Sequence, residues 1–249
     1  MLKNHKPTKL ISRLVLFAGL SFLIFPVFGQ KTIRQSNQVW VQSYNEAKLS
    51  DRWTALLDGG LRWDKDLEIS VLILRGGVGY SLSPNVRVAG GFAFLGTFEE
   101  SKIIRNEYRP FQELTYRSEL GKLSINNRLR LEERFFESKP TDINRTSFNF
   151  RFRYAIMLGI PLANLSRSDP KRRLILNMGD EIFINAGKEI THRVFDQNRI
   201  ILSPTVQWNK NLSVSFTYNS QFGSTALAET FVHSHIFWLQ TRYNLDFSH

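Results

Sequence analysis

A histidine–serine–histidine run near the C-terminal end holds the side chains of this chain that are best suited to catalysis. His233, Ser234 and His235 combine a nucleophile with a general base, the pair on which serine hydrolases depend. Successive side chains of an extended strand point to opposite faces, so Ser234 would point away from both histidines. The two histidines lack an evident third ligand, and neither a metal nor any other cofactor is predicted. A non-enzymatic protein is therefore expected, and lipid hydrolysis by these three residues is the alternative.

Polar residues at alternate positions of three other segments could form a network of ion pairs. This cluster consists of Arg151, Arg153, Glu181, Asn185, Gln197 and Arg199. If the two later segments pair as a hairpin, Glu181 and Arg199 could meet as a charge-assisted pair. Asp180 then points to the opposite face unless a bulge intervenes. The favoured interpretation is a ladder of ion pairs that rigidifies the fold, and ligand binding or gating by the same residues is the alternative.

The elements that carry these residues are predicted to be long β-strands. Seven apolar residues occupy alternate positions from Phe148 to Ile160, with Arg151 and Arg153 between them. A strand places the two sets on opposite faces, whereas a helix would scatter the arginines around its circumference. Similar alternation predicts eleven strand segments and no amphipathic helix. The segments are 37–47, 52–64, 69–82, 86–98, 109–120, 123–132, 148–160, 173–187, 197–208, 212–222 and 230–247.

The lengths of the segments and of their connections indicate an antiparallel transmembrane β-barrel rather than a soluble sandwich. Several segments run twelve residues or more, which exceeds the usual sandwich strand and suits a tilted membrane strand. Short turns near 49–51, 83–85, 120–122 and 209–211 alternate with longer loops near 99–108, 137–145, 188–196 and 224–229, and the stretch 162–172 is a longer exception on the side of the short turns. Bacterial outer-membrane barrels show this alternation and have an even number of strands, so ten or twelve strands are expected.

Aromatic residues near the segment ends are predicted to form girdles at the two membrane interfaces. They are Trp40, Trp53, Trp63, Tyr80, Trp208 and Tyr243. The last segment alternates apolar residues up to Phe247, which resembles the terminal signal that the outer-membrane assembly machinery recognises. This machinery, outer-membrane lipid and lipopolysaccharide are the expected partners.

The first 29 residues have the three parts of a secretory signal peptide. Four basic residues precede an apolar run from Leu14 to Phe25, and the small Gly29 precedes the expected cut. Residues 30–249 are then the barrel domain, and the formal net charge falls from +11 to +7. Export argues against nucleic acid as a partner of this basic chain and predicts a location in the outer membrane of a Gram-negative bacterium. The chain has no cysteine, which excludes disulfides and thiolate metal sites.

Three motifs resemble a known protein family. Arg151-Phe152-Arg153-Tyr154, the segment 180–185 and the segment 195–199 are similar to the family catalogued as domain of unknown function 2490. The resemblance covers nearly the whole chain after residue 29. Members of this family are found mainly in Bacteroidota and are treated as outer-membrane barrels, so the resemblance implies that fold and that location. It implies no activity and transfers no catalytic residue.

The function depends on how completely side chains fill the barrel. Arginines that could line a porin-like, anion-selective passage recur along the chain. They are Arg62, Arg75, Arg87, Arg117, Arg128, Arg130, Arg151, Arg153, Arg199 and Arg242. In the favoured alternative these arginines pair with Glu113, Glu119, Glu132 and Glu181 and fill a narrow lumen. The expected role is passage of a small solute or support of the envelope, and adhesion through the long loops is a further alternative.

Overall fold

The structure is a computed structural model that describes residues 31–64, 66–138, 145–190 and 193–248. Within these residues the chain forms eleven β-strands. They are β1 (Thr32–Lys48), β2 (Trp53–Trp63), β3 (Ile69–Ser81), β4 (Val86–Glu99), β5 (Lys102–Leu120), β6 (Leu123–Ser138), β7 (Arg145–Asn164), β8 (Arg173–Ala186), β9 (Phe195–Gln207), β10 (Leu212–Ser224) and β11 (Thr230–Asp246). No helix among these residues is long and apolar enough to span a membrane. The predicted signal peptide, residues 1–29, lies outside the described residues.

The strands form one closed barrel in which every strand pairs with its neighbours along the chain. All of these pairs are antiparallel, and a parallel pair of β1 with β11 closes the barrel. The seam is in register from Thr32 opposite Thr230 to Lys48 opposite Asp246. The all-β barrel and its eleven strand segments are therefore confirmed. The expected count of ten or twelve strands is wrong, because a parallel ladder allows an odd number of strands to close.

The connections follow the predicted alternation, including the longer connection 165–172 at the end of the short turns, and differ from it only between β4 and β5 among the described residues. A loop was expected near 99–108, but β4 ends at Glu99 and β5 begins at Lys102. Glu100 and Ser101 alone make the turn, and both have a positive φ, 47° and 62°. The expectation of a long loop here is wrong, since the polar residues that follow belong to an extended β5.

The two faces of the barrel differ sharply in polarity. On β7 the outward Phe152 is 51% exposed, whereas the neighbouring Arg151 is 6% exposed and points into the lumen. The same contrast recurs on β6, where Leu129 is 52% exposed and Glu132 is 1% exposed. A soluble barrel would show the opposite arrangement, with its apolar side chains inside. The polar interior must therefore satisfy its own charges and hydrogen bonds.

Side chains of different size line different walls of the lumen. Serine and threonine side chains of β9 and β10 hydrogen-bond to one another, as Ser203 does with Thr217 at 2.6 Å. On β3 and β4, Gly77 lies opposite Gly91, and a Cβ on Gly77 would lie 2.6 Å from the carbonyl oxygen of Gly90. Ile73 and its buried neighbours form a small apolar cluster on the same wall. The short side chains of β9 and β10 line the same cavity as the arginines and leave space beside them.

Candidate functional site in the barrel lumen

The carboxylate of Glu132, on β6, is the centre of the charged network in the lumen. Its oxygens accept hydrogen bonds from Arg151 Nη2 at 2.5 Å and from Arg153 Nη1 at 2.6 Å, both on β7. Guanidinium nitrogens of Arg109 on β5 and Arg130 on β6 lie 3.7 and 3.9 Å from it. Glu132 and Arg151 are directly opposite each other in the β6–β7 register, which explains the closest contact. Four cations therefore surround one buried carboxylate.

Glu181, on β8, forms the second centre of this network. Its Oε1 accepts hydrogen bonds from Arg128 on β6 at 2.5 Å and from Arg153 on β7 at 2.6 Å. Arg199 on β9 lies directly opposite in the register, yet its nearest nitrogen is 3.7 Å from Glu181 Oε2. Since Arg153 bonds to both Glu132 and Glu181, it joins the two centres. The network thus ties β5 through β9 together across the lumen.

Sequence reasoning missed four members of this network, which are Glu107, Arg109, Arg134 and Asp196. Glu107 accepts hydrogen bonds from Arg109 and Arg134 at 2.7 and 2.6 Å, but the segment up to residue 108 was expected to be a loop. Glu113 points into the lumen, and counting back along β5 in steps of two residues reaches Arg109 and Glu107, which point inward as well. Asp196 accepts a hydrogen bond from Arg151 Nη1 at 3.0 Å. A register shift between β8 and β9 brings it into the lumen beside Gln197, and alternation alone gives no sign of that shift.

The predicted polar cluster lies on the lumenal side of the barrel. Asn185 is buried and its Oδ1 accepts a hydrogen bond from Asn149 at 3.1 Å, while Gln197 lines the central cavity. Asp180 instead faces outward, and both of its carboxylate oxygens accept hydrogen bonds from the side-chain amide of Asn198. Glu119 was expected to pair with an arginine, but it is exposed near the end of β5 and makes no ion pair among the described residues. That part of the expected pairing is wrong.

An aromatic wall faces the charged network from β1 and β11. Trp40 and Trp238 pack edge to face with their ring centroids 5.1 Å apart, and Tyr44 lies beside Trp238. The guanidinium of Arg62 stacks 3.8 Å from the centroid of Trp40. Trp40 is 2% exposed, so its predicted place in an outer girdle is wrong. Parity explains the difference, because Trp40 shares the inward face with Gln42 and Tyr44.

Other predicted girdle residues do face outward. Trp53 and Tyr80 pack against each other at 4.8 Å near the turns that follow β1 and β3. Trp208 and Tyr243 are 52% and 43% exposed at the same end of the barrel. This end therefore carries a ring of outward aromatic side chains.

A cavity of about 720 Å³ lies between the charged and aromatic walls. Ten arginines and three carboxylates line it, so its surface carries an excess of positive charge. Its lining on β6 runs from Ser124 to Arg134, a separation of roughly 25 Å along the barrel axis at the usual strand rise and tilt. The cavity therefore extends over most of the height of the barrel, and the lumen is only partly filled.

The histidine–serine–histidine run is divided between the two faces of β11. Ser234 is 2% exposed and faces the lumen, whereas His233 and His235 lie on the outer face. His233 Nε2 is 2.8 Å from the hydroxyl oxygen of Ser220, on the neighbouring strand β10. His235 Nδ1 is 2.6 Å from the hydroxyl of Tyr218. No group of three residues suited to a metal ion occurs in the part of the chain that the structure describes.

A comparison with models of protein families identifies a family that matches this chain. The family model described as "Protein of unknown function (DUF2490)" matches residues 37–231, which contain most of the barrel and its charged network. No curated protein and no solved structure matches the chain.

Proposed function

Since this chain belongs to the DUF2490 family, whose description assigns no function, we propose one from the barrel itself. We propose that the protein is a non-enzymatic outer-membrane barrel through which small anionic solutes pass. Its partners in this role are outer-membrane lipid, lipopolysaccharide and, during biogenesis, the assembly machinery. The observation that carries the proposal is the arginine-lined cavity inside a barrel whose outer surface is mostly apolar.

The outer surface has the dimensions of a membrane-spanning band. On β7 the outward residues are apolar from Phe148 to Ile160, which corresponds to roughly 30 Å along the axis of a tilted strand. The apolar band of outer-membrane barrels is about 25 Å tall. Outward aromatic residues flank this band, with Trp53 and Tyr80 at one end and Phe135 and Phe148, whose rings lie 4.7 Å apart, at the other. These features support insertion into a lipid bilayer.

The number of strands supports a narrow passage. Side chains fill the interior of a barrel of about eight strands, whereas porins of about 16–18 strands hold a wide aqueous channel. Eleven strands lie between these cases. Bulky arginines occupy one wall of the lumen, and the serines and threonines of β9 and β10 leave space on another. A lumen of this kind suits small solutes, and its excess of arginine favours anions.

Conductance tests the proposal directly. The mature protein, refolded and inserted into a planar lipid bilayer, is expected to give small, discrete current steps. A gradient of potassium chloride should give a reversal potential that indicates preference for chloride. Heat-unfolded protein in the same detergent serves as the control for detergent leaks. A folded barrel that gives no current, or one that prefers potassium, would contradict the proposal, and the silent barrel would favour a role in supporting the envelope.

A second candidate function is hydrolysis of a lipid ester by Ser220 and His233. Ser220 Oγ lies 2.8 Å from His233 Nε2, on the outer face, a few residues from the end of β10 that leads into the 225–229 loop. A hydroxyl in this position could attack an ester carbonyl while the imidazole takes its proton. No carboxylate contacts His233 among the described residues, so the group that usually orients a catalytic histidine is not provided. The non-enzymatic role is therefore favoured.

Substitution of Ser220 separates the two candidates. If the purified protein releases fatty acid from a phospholipid in mixed micelles, Ser220→Ala is expected to lower the rate by about a hundredfold or more. Ser234→Ala is the matched control, since that serine faces the lumen and should leave the rate unchanged. An active protein whose rate does not fall in Ser220→Ala would contradict this candidate, and so would a wild-type rate equal to the blank.

A further inference from the structure

We infer that the lumen contains a binding site for an organic anion, centred on Arg62 and Arg199 and walled by Trp40 and Trp238. This inference deepens the proposed function, on which it rests for a solute that enters the lumen, because it names the class of that solute. The carboxylate or phosphate of the ligand would bind the two guanidinium groups. Its planar or apolar part would lie against the aromatic wall.

Arg62 is the arginine in the cavity wall that is most clearly available to a ligand. It lines the cavity and makes no ion pair or side-chain hydrogen bond with any described residue. Its guanidinium stacks 3.8 Å from the centroid of Trp40. Stacking uses the faces of the planar group and leaves its N–H donors, which lie in the plane, free to bind two oxygens of one anion. The aromatic contact therefore holds the cation in place without neutralising its charge.

The positive charge of Arg199 has weaker contacts with carboxylates than the charges of the other arginines around Glu181. It lies over the same indole as Arg62, 5.3 Å from the Trp40 centroid. Its Nε donates to Gln221 at 2.9 Å, but its closest contact to a carboxylate is the 3.7 Å separation from Glu181. Glu181 is already hydrogen-bonded to Arg128 and Arg153. The terminal nitrogens of Arg199 are therefore left without a close acceptor. Arg62 and Arg199 both lie over the ring of Trp40.

The aromatic wall offers a surface to the apolar part of a ligand. Trp238 lines the cavity and packs against Trp40, and the ring centroid of Tyr44 lies 6.3 Å from that of Trp238. The indole Nε1 of Trp238 is itself buried and offers no donor at the cavity surface. The cations and the aromatic faces together describe a site for an anion that carries a ring or a short apolar chain.

Phenyl phosphate is a suitable probe because it combines a dianion with one ring. It would be titrated by calorimetry into the folded mature protein in an uncharged detergent, with inorganic phosphate and benzyl alcohol titrated separately. Phenyl phosphate is expected to bind more tightly than either fragment. Arg62→Gln is expected to weaken its binding by about tenfold or more, since a charge-assisted bidentate contact is lost. This variant leaves no carboxylate unpaired, so the barrel should fold normally.

Arg87→Gln is the matched control for a general loss of positive charge. Arg87 also faces the lumen, but it is paired with Glu46 at 2.9 Å and does not line the cavity. Its substitution should change the affinity by less than about twofold. Undetectable binding of phenyl phosphate, unchanged affinity in Arg62→Gln, or an equal loss in Arg87→Gln would overturn the site. If phenyl phosphate binds but the barrel gives no current, the binding site is upheld and the passage of solutes is rejected. If the barrel conducts but does not bind phenyl phosphate, the passage is upheld and the binding site is rejected.

Discussion

Replacement of Glu132 by glutamine is expected to lower the free energy of unfolding of the barrel by about 3–5 kcal/mol. The carboxylate side chain is 2% exposed and has four guanidinium groups within 4 Å. Glutamine keeps the shape but removes the negative charge, so those four cations face one another without the buried carboxylate that had paired them. The loss would be measured by urea titration of the refolded protein in detergent micelles, with tryptophan fluorescence as the signal.

Glu133→Gln is the control, because it makes the same chemical change one residue away. Glu133 points to the outer face, where its Oε1 accepts a hydrogen bond from Gln112 at 3.4 Å. Its substitution should alter the free energy of unfolding by less than about 1 kcal/mol. Equal effects of the two substitutions would show that the lumenal network does not stabilise the barrel. If neither substitution lowered the free energy of unfolding, the central role given to Glu132 would be contradicted.

The alternation of residue types was sufficient to predict the eleven strand segments and the two faces of the most regular strands. Between Phe148 and Ile160 the pattern distinguishes an apolar face from a face with two arginines, and the structure places them outside and inside the barrel. The pattern is clear because a barrel has two environments, and each residue of a long strand belongs to one of them. Short turns at positions such as Gly121 fixed the order of the strands, since an antiparallel hairpin leaves its strands adjacent.

Closure and register could not be obtained from the same pattern. Alternation within β1 and β11 does not say whether the two strands meet in parallel, so the odd strand count was unexpected. A register shift such as the one before Asp196 changes the face of a residue without changing the local composition. Trp40 shows a related limit, because an aromatic residue suits a membrane interface and an arginine-lined lumen equally well.

The sequence predicted many of the residues that form the candidate site, but it did not predict the full set of contacts between them. The sequence indicated that Glu181 and Arg199 could meet and that Arg153 would pair with a lumenal glutamate, and the structure places all three within one network. It did not indicate that Arg153 would be bonded to two carboxylates while Arg62 would have none. That difference depends on which strands lie opposite each other across the lumen. It decides which arginines stabilise the barrel and which are free to act on a solute.

The unpaired arginines are therefore expected to control ion selectivity. The double variant Arg62→Glu with Arg105→Glu should convert a preference for chloride into a preference for potassium, measured as a change in sign of the reversal potential. Both residues line the cavity, and neither makes an ion pair with a described residue. Two charge reversals change the charge of the cavity wall by four units, and a low-dielectric wall makes such a change strongly felt by a passing ion. Arg151 and Arg153 are poor probes, because their pairing with Glu132 stabilises the fold.

Arg167→Glu provides the comparison for a charge reversal outside the lumen. Arg167 is exposed in the turn between β7 and β8 and does not line the cavity. Its substitution should leave the sign of the reversal potential unchanged, because bulk salt screens an exposed charge over about 10 Å at an ionic strength of 0.1 M. A double variant that remains selective for chloride would show that ions do not pass close to Arg62 and Arg105. In that case the paired arginines of β6 and β7 would have to provide the selectivity, and stabilisation and transport would depend on the same residues.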